Sequence, residues 1–164
     1  VRHVYPVEMG AYTTEDRKME PNHYRTISEA ISLSLPGDTI ELGDGHYWIN
    51  EDLSVDIPLR LIGDENNPSN VIIEMSGTLK WRAKGGWFEG VTFRRPKISS
   101  GGPTTSELLL IGKEGRLDVV HSVFNNESCR GSVITVTEPG SKGRWENVIV
   151  KSGDGPSPNE DLAE

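Results

Sequence analysis

The sequence predicts an all-β fold, a parallel β-helix whose first coil is covered by one short helix. Residues 24–63 read as a helix followed by strands that turns interrupt at regular intervals. A motif of aromatic and aliphatic residues then recurs downstream at a nearly constant spacing. Eighteen glycines and ten prolines among 164 residues suit many short strands and turns better than a helical bundle.

The predicted helix spans residues 25–35. Its apolar residues fall at helical spacing and form one stripe, made by Ile27, Ala30, Ile31 and Leu35. Pro36-Gly37 is expected to end the helix. A solenoid needs such a cap because an open end would expose its apolar core and unpaired strand edges.

The segments after the helix alternate with the period of a β-strand. Residues 38–42 alternate polar and apolar side chains, and Gly43-Asp44-Gly45 then turns the chain. Five odd-numbered apolar positions follow between Leu53 and Leu61. The pattern places Leu61, Ile73, Phe93 and Val119 inside the coil stack.

Three copies of one motif predict the repeat. They begin at Gly86, Gly115 and Gly143, which are 29 and 28 residues apart. The middle copy fits poorly after Asp118, so we expect a bulge or register shift near His121-Ser122. A chain of this length is predicted to form a single domain of about five coils over residues 1–152. Residues 153–164 are predicted to form an acidic, flexible tail.

One stretch carries a family signature. Its residues are Tyr24, Thr26, Ile27, Ala30 and Ile31, then Pro36-Gly37-Asp38-Thr39-Ile40, Gly45-His46-Tyr47 and Pro58-Leu59-Arg60-Leu61-Ile62-Gly63. They resemble the N-terminal cap and first coils of pectin-lyase-like right-handed parallel β-helices. The nearest likeness is to the carbohydrate-binding and sugar-hydrolase type of repeat, found in β-helix F-box proteins, Shc-binding proteins and bacterial periplasmic copper-site maturation proteins. The resemblance implies a right-handed β-helix, but enzymes and binding modules share this cap.

Charge is distributed unevenly along the chain. A net charge of −8 disfavours nucleic acid as a partner, because phosphate would be repelled. Six of the 17 basic residues nevertheless fall within eighteen positions, namely Lys80, Arg82, Lys84, Arg94, Arg95 and Lys97. The first three alternate with Leu79, Trp81 and Ala83, which predicts a basic row facing solvent. That row could hold an acidic peptide, a phosphate or a sulfated sugar; the alternative is a charged strand edge that prevents mispairing.

Motifs for catalysis are not evident. The sequence has no nucleophile elbow, no phosphate loop and no pair of histidines at helical spacing. Asp52 and Asp56 share a strand face but would lie about 13 Å apart, too far for one acid-base pair. The four tryptophans could stack on sugars, but most are expected to fill the core or cap its end. We therefore expect no enzyme activity, no metal and no cofactor.

These observations favour a non-catalytic recognition module. The resemblance to β-helix F-box proteins implies that the chain is part of a larger eukaryotic regulatory protein, similar to a ubiquitin-ligase adaptor. Within that protein, the chain would bind a protein partner through the face of one sheet. That partner would carry an acidic or phosphorylated segment. One alternative is a protein that binds or modifies polysaccharide, and another is a structural unit that self-associates through its end coil. The single cysteine and the lack of an apolar span or signal peptide favour an intracellular location. Secretion is the alternative if the chain is a processed fragment.

Overall fold

A computed structural model describes residues 1–4, 22–96, 107–126, 132–138 and 142–152. These ranges contain one α-helix and sixteen strands, and every strand pair is parallel. The predicted all-β class is confirmed. The strands are β1 (Arg2–Val4), β2 (His23–Tyr24), β3 (Thr39–Leu42), β4 (Gly45–Ile49), β5 (Leu53–Val55), β6 (Arg60–Ile62), β7 (Val71–Met75), β8 (Leu79–Trp81), β9 (Trp87–Glu89), β10 (Thr92–Arg94), β11 (Leu109–Ile111), β12 (Leu117–Val120), β13 (Val123–Asn126), β14 (Ile134–Val136), β15 (Lys142–Glu146) and β16 (Ile149–Ser152).

The strands form three sheets that the chain visits in rotation. The seven-stranded sheet has the order β15-β12-β9-β6-β3-β1-β2, the five-stranded sheet β16-β13-β10-β7-β4, and the four-stranded sheet β14-β11-β8-β5. From β3 onward, each set of three consecutive strands places one strand in each sheet, and we call such a set a circuit. The described strands from β3 to β14 make four circuits, and β15 and β16 begin another.

The inward side chains of the three sheets form a continuous hydrophobic core. The four residues predicted to be inside, Leu61, Ile73, Phe93 and Val119, are each at most 3% exposed, which confirms that prediction. Aromatic rings of successive circuits contact one another along the core. The Phe93 ring lies 5.2 Å from that of Phe124 in the next circuit and 5.4 Å from that of Phe88 in its own circuit.

The helix α1 (Ile27–Ser32) is shorter than the predicted span of residues 25–35. It begins after Thr26, whose hydroxyl accepts a hydrogen bond from the Glu29 N–H at 3.1 Å. Ile27 and Ala30 are buried in the core, as the apolar stripe predicts. Leu35 lies beyond the helix and is 66% exposed, because the helix ends before the stripe is complete. No helix in the described ranges is long and apolar enough to cross a membrane.

The register of the seven-stranded sheet corrects the predicted repeat. Phe88 pairs with Val119 and Val119 pairs with Trp145, so the first and third copies align as predicted. The middle copy, however, begins at Leu117, not at Gly115. Gly115 belongs to a turn in which its N–H donates to the Gly112 carbonyl at 3.0 Å. The register shift lies between Leu117 and Val119, slightly before its predicted position.

Candidate functional site

The basic row predicted around β8 is present on the four-stranded sheet. Leu79, Trp81 and Ala83 are each at most 2% exposed, so the alternate cations face outward as the alternation predicts. The side chains of Lys80, Arg82 and Lys84 are respectively 32%, 61% and 77% exposed.

Acidic residues of neighbouring circuits compensate this row. Lys80 pairs with Asp52. Arg82 lies 3.9 Å from Asp56, and Lys84 lies 3.0 Å from Glu114. Such exposed pairs contribute little to stability, since water and salt screen them. They nevertheless reduce the attraction of the row for a further anion.

The pairing of Lys80 with Asp52 predicts a measurable titration. The Lys80 ammonium is the largest cause that lowers the pKa of Asp52, followed by the Thr78 backbone N–H. Because the pKa is lower in the folded than in the unfolded chain, this pair stabilises the fold above about pH 4 and ceases to do so as the pH falls through the folded pKa. We expect Lys80→Met to raise the pKa of Asp52 toward its ordinary value, as measured by NMR titration of the carboxyl carbon. Lys84→Met is the control; a shift of equal size in both variants would contradict the pair.

The other predicted cations lie elsewhere. Arg94 belongs to β10 of the five-stranded sheet, so it faces a different side of the molecule from Lys80. Arg95 is only 4% exposed and donates to the Met75 and Glu107 carbonyls at 3.0 and 2.8 Å. It therefore binds backbone at a corner and does not belong to a surface patch. Lys97 lies outside the described residues. The five described cations do not form one patch, because the chain passes from the four-stranded through the seven-stranded to the five-stranded sheet between Lys84 and Arg94.

The outer face of the five-stranded sheet carries two aligned rows of side chains. The first, which we call the Arg94 row, contains one residue from each strand in register, namely Trp48, Glu74, Arg94, Asn125 and Lys151. The second, the Ile72 row, contains His46, Ile72, Thr92, Val123 and Ile149. A largely apolar row thus lies beside a charged one across all five strands.

At one end of this face, Glu74 contacts the side chains of Arg94 and His46 through its carboxylate. Its side chain is only 7% exposed, and its Oε2 accepts a hydrogen bond from Arg94 Nε at 2.7 Å and lies 3.1 Å from His46 Nε2. A buried carboxylate requires such partners, because burial without them is costly. The Arg94 side chain remains 40% exposed, although its Nε is bound to Glu74 and its Nη2 lies 3.4 Å from His46 Nε2. Glu74 and His46 thus orient a side chain that stays partly open to solvent.

Trp48 is the most exposed tryptophan whose side chain the structure describes. It is 56% exposed, and one face of its ring stacks on the His46 ring at 4.4 Å with an interplanar angle of 25°. The sequence predicts that most tryptophans fill the core or cap its end; Trp81 is fully buried in the core, and Trp48 is an exception. An aromatic ring held against a neighbour and open on one side is a ready contact surface for a ligand.

Lys151 and Ile149 lie at the other end of the face. Both are exposed, and Ile149 is 53% exposed. Lys151 makes no ion pair with any residue that the structure describes. Sequence reasoning missed both this lysine and Glu74. The one signal for Glu74 is an acid inside the apolar strand Val71–Met75.

This arrangement is suited to binding. The face offers a stacked aromatic ring, an oriented guanidinium and an ammonium that pairs with no described residue, all beside an apolar row. In the described ranges, no group of three or more His, Cys, Asp or Glu side chains is placed to hold a metal ion.

Comparison of the chain with protein-family models, curated proteins and solved structures gives no match.

Proposed function

We propose that the chain is a right-handed parallel β-helix of about five coils with an N-terminal cap helix, and that it acts as a non-catalytic recognition module. The rotation of the chain through three parallel sheets supports this architecture. The partner is a protein, and the contact surface is the outer face of the five-stranded sheet. The resemblance of residues 24–63 to β-helix F-box proteins supports a place in a larger, intracellular eukaryotic regulatory protein.

One observation carries the choice of surface. Trp48 is exposed, stacked on His46, and in register with two cations, Arg94 and Lys151. Tryptophan and arginine are the residues that most often dominate protein interfaces, and preorganised side chains lose little entropy on binding. The positive charge of Lys151, which pairs with no described residue, favours a partner segment that carries carboxylates or phosphates.

The test uses a pool of short peptides with glutamate at random positions, beside a matched neutral pool. We expect the acidic pool to bind more tightly and the binding to weaken with salt, since exposed charges are screened over about 8 Å at physiological ionic strength. Lys151→Glu should weaken binding about fivefold or more, because it removes one attraction and adds a repulsion. Lys84→Glu, in the bend that follows β8, is the matched control. Equal binding by Lys151→Glu and the unchanged protein would contradict the proposed surface.

A polysaccharide ligand is the second candidate, favoured by Trp87 on the seven-stranded sheet. This residue is partly exposed, its ring centre lies 5.8 Å from the Arg60 guanidinium, and its Nε1 donates to Glu89 at 2.8 Å. Aromatic rings beside polar groups suit sugar rings. A glycan array separates the two candidates: sugar binding lost in Trp87→Ala but kept in Trp48→Ala would favour polysaccharide.

A further inference from the structure

We infer that the partner segment is an acidic, proline-containing peptide in the polyproline II conformation that crosses the strands of the five-stranded sheet. Its proline contacts Trp48, and its carboxylates, three and six residues away, contact Arg94 and Lys151. The inference rests on the proposed function and names the class of partner.

The distances between the residues of the Arg94 row indicate the conformation of the bound peptide. Trp48 and Arg94 are two strands apart, as are Arg94 and Lys151. With strands about 4.8 Å apart, each interval is about 9.6 Å. Three residues of polyproline II rise about 9.3 Å and complete one turn, so residues i, i+3 and i+6 face the same side. An extended strand spans a similar distance in three residues, but its residues i and i+3 point to opposite faces.

The side chains of the Arg94 row indicate which peptide residue binds at each position. The open face of Trp48 suits a proline ring, as in other aromatic sites for polyproline II segments. Lys151 suits a carboxylate. Arg94 suits a second one, more weakly, through the N–H groups that Glu74 and His46 leave open. The neutral Asn125 lies between the two cations. The intervening position between Trp48 and Arg94 holds the Glu74 carboxylate, which repels an acid placed there. A peptide shifted by one strand would therefore face the wrong charge.

The experiment compares two peptides of one composition by fluorescence anisotropy. The matched peptide has proline followed by glutamates three and six residues later; the shifted isomer has both glutamates one residue nearer the proline. We expect the matched peptide to bind about tenfold more tightly. Trp48→Ala should remove this preference, Lys151→Glu should weaken both peptides, and Lys84→Glu should change neither. Unchanged unfolding midpoints confirm that the variants fold.

The outcomes separate this inference from the proposed function. Equal binding of the two peptides, weakened by Lys151→Glu and insensitive to Trp48→Ala, would retain an acidic partner but overturn the spaced polyproline II segment. Failure of both peptides and of the acidic pool would overturn both proposals. The sequence of this chain itself has the same spacing at Pro158, Asp161 and Glu164, outside the described residues. Self-association lost in Lys151→Glu, measured by light scattering, would assign the site to a second copy and overturn a separate partner.

Discussion

Phe93→Ala is expected to lower the free energy of unfolding by about 3 to 5 kcal/mol. Phe93 is 2% exposed, and its ring lies between those of Phe88 and Phe124, nearly parallel to the latter at 8°. Truncation would leave a void between two successive circuits, those of β9–β11 and β12–β14, because rigid neighbouring sheets collapse only partly into it. For a protein of this size the thermal midpoint should fall by about 10 °C, measured by circular dichroism.

The control is Val123→Thr, on the strand next to Phe93. Val123 faces outward and is only partly buried, so a side chain of similar shape should change the free energy by about 0.5 kcal/mol or less. If Phe93→Ala and Val123→Thr moved the midpoint equally, the assignment of Phe93 to a core shared by these two circuits would be wrong.

The sequence was sufficient to predict which side chains face inward. Alternation with period two is a local property, so it placed Leu79, Trp81 and Ala83 inside without knowledge of any neighbouring strand. The cap also follows from local signals, since Thr26 and Ile27 mark a helix start and an apolar stripe. Predicting these two features does not require knowledge of which residues pair between strands that are distant in sequence.

The candidate site could not be predicted in this way. Its central contacts join His46 to Glu74 and Glu74 to Arg94, which are 28 and 20 residues apart. Circuits of unequal length do not reveal which residues become neighbours, because each turn adds its own number of residues. For the same reason the cations near residue 80 and those near residue 94 read as one cluster, although they occupy different sheets.

The misplaced middle repeat has a related cause. One residue beyond the paired positions Glu89, Val120 and Glu146, the chain turns from the seven-stranded to the five-stranded sheet. The three residues at this corner are Gly90, His121 and Asn147, with φ angles of 66°, 47° and 52°. Different residue types thus adopt one left-handed conformation. The repeat is therefore one of backbone conformation, and it cannot be recognised from the residue types at this corner.

At this corner, Gly90→Ala is expected to lower the free energy of unfolding by about 2 to 5 kcal/mol. The left-handed conformation costs an L-residue about 1 to 2 kcal/mol, and crowding of a packed site adds about 1 to 3 kcal/mol. The crowding is specific to Gly90, because a Cβ there would lie closer than 3.0 Å to backbone atoms of Asp64 and Glu65. Asn147→Gly keeps the left-handed conformation, since glycine adopts this φ without strain, but it also removes the exposed contact of the Asn147 Nδ2 with His121 Nε2 at 2.9 Å. It should therefore lower the stability by about 1 kcal/mol or less. Urea unfolding measures both variants. If Gly90→Ala unfolded at the same urea concentration as the unchanged protein, the close approach of the two successive corners would be wrong.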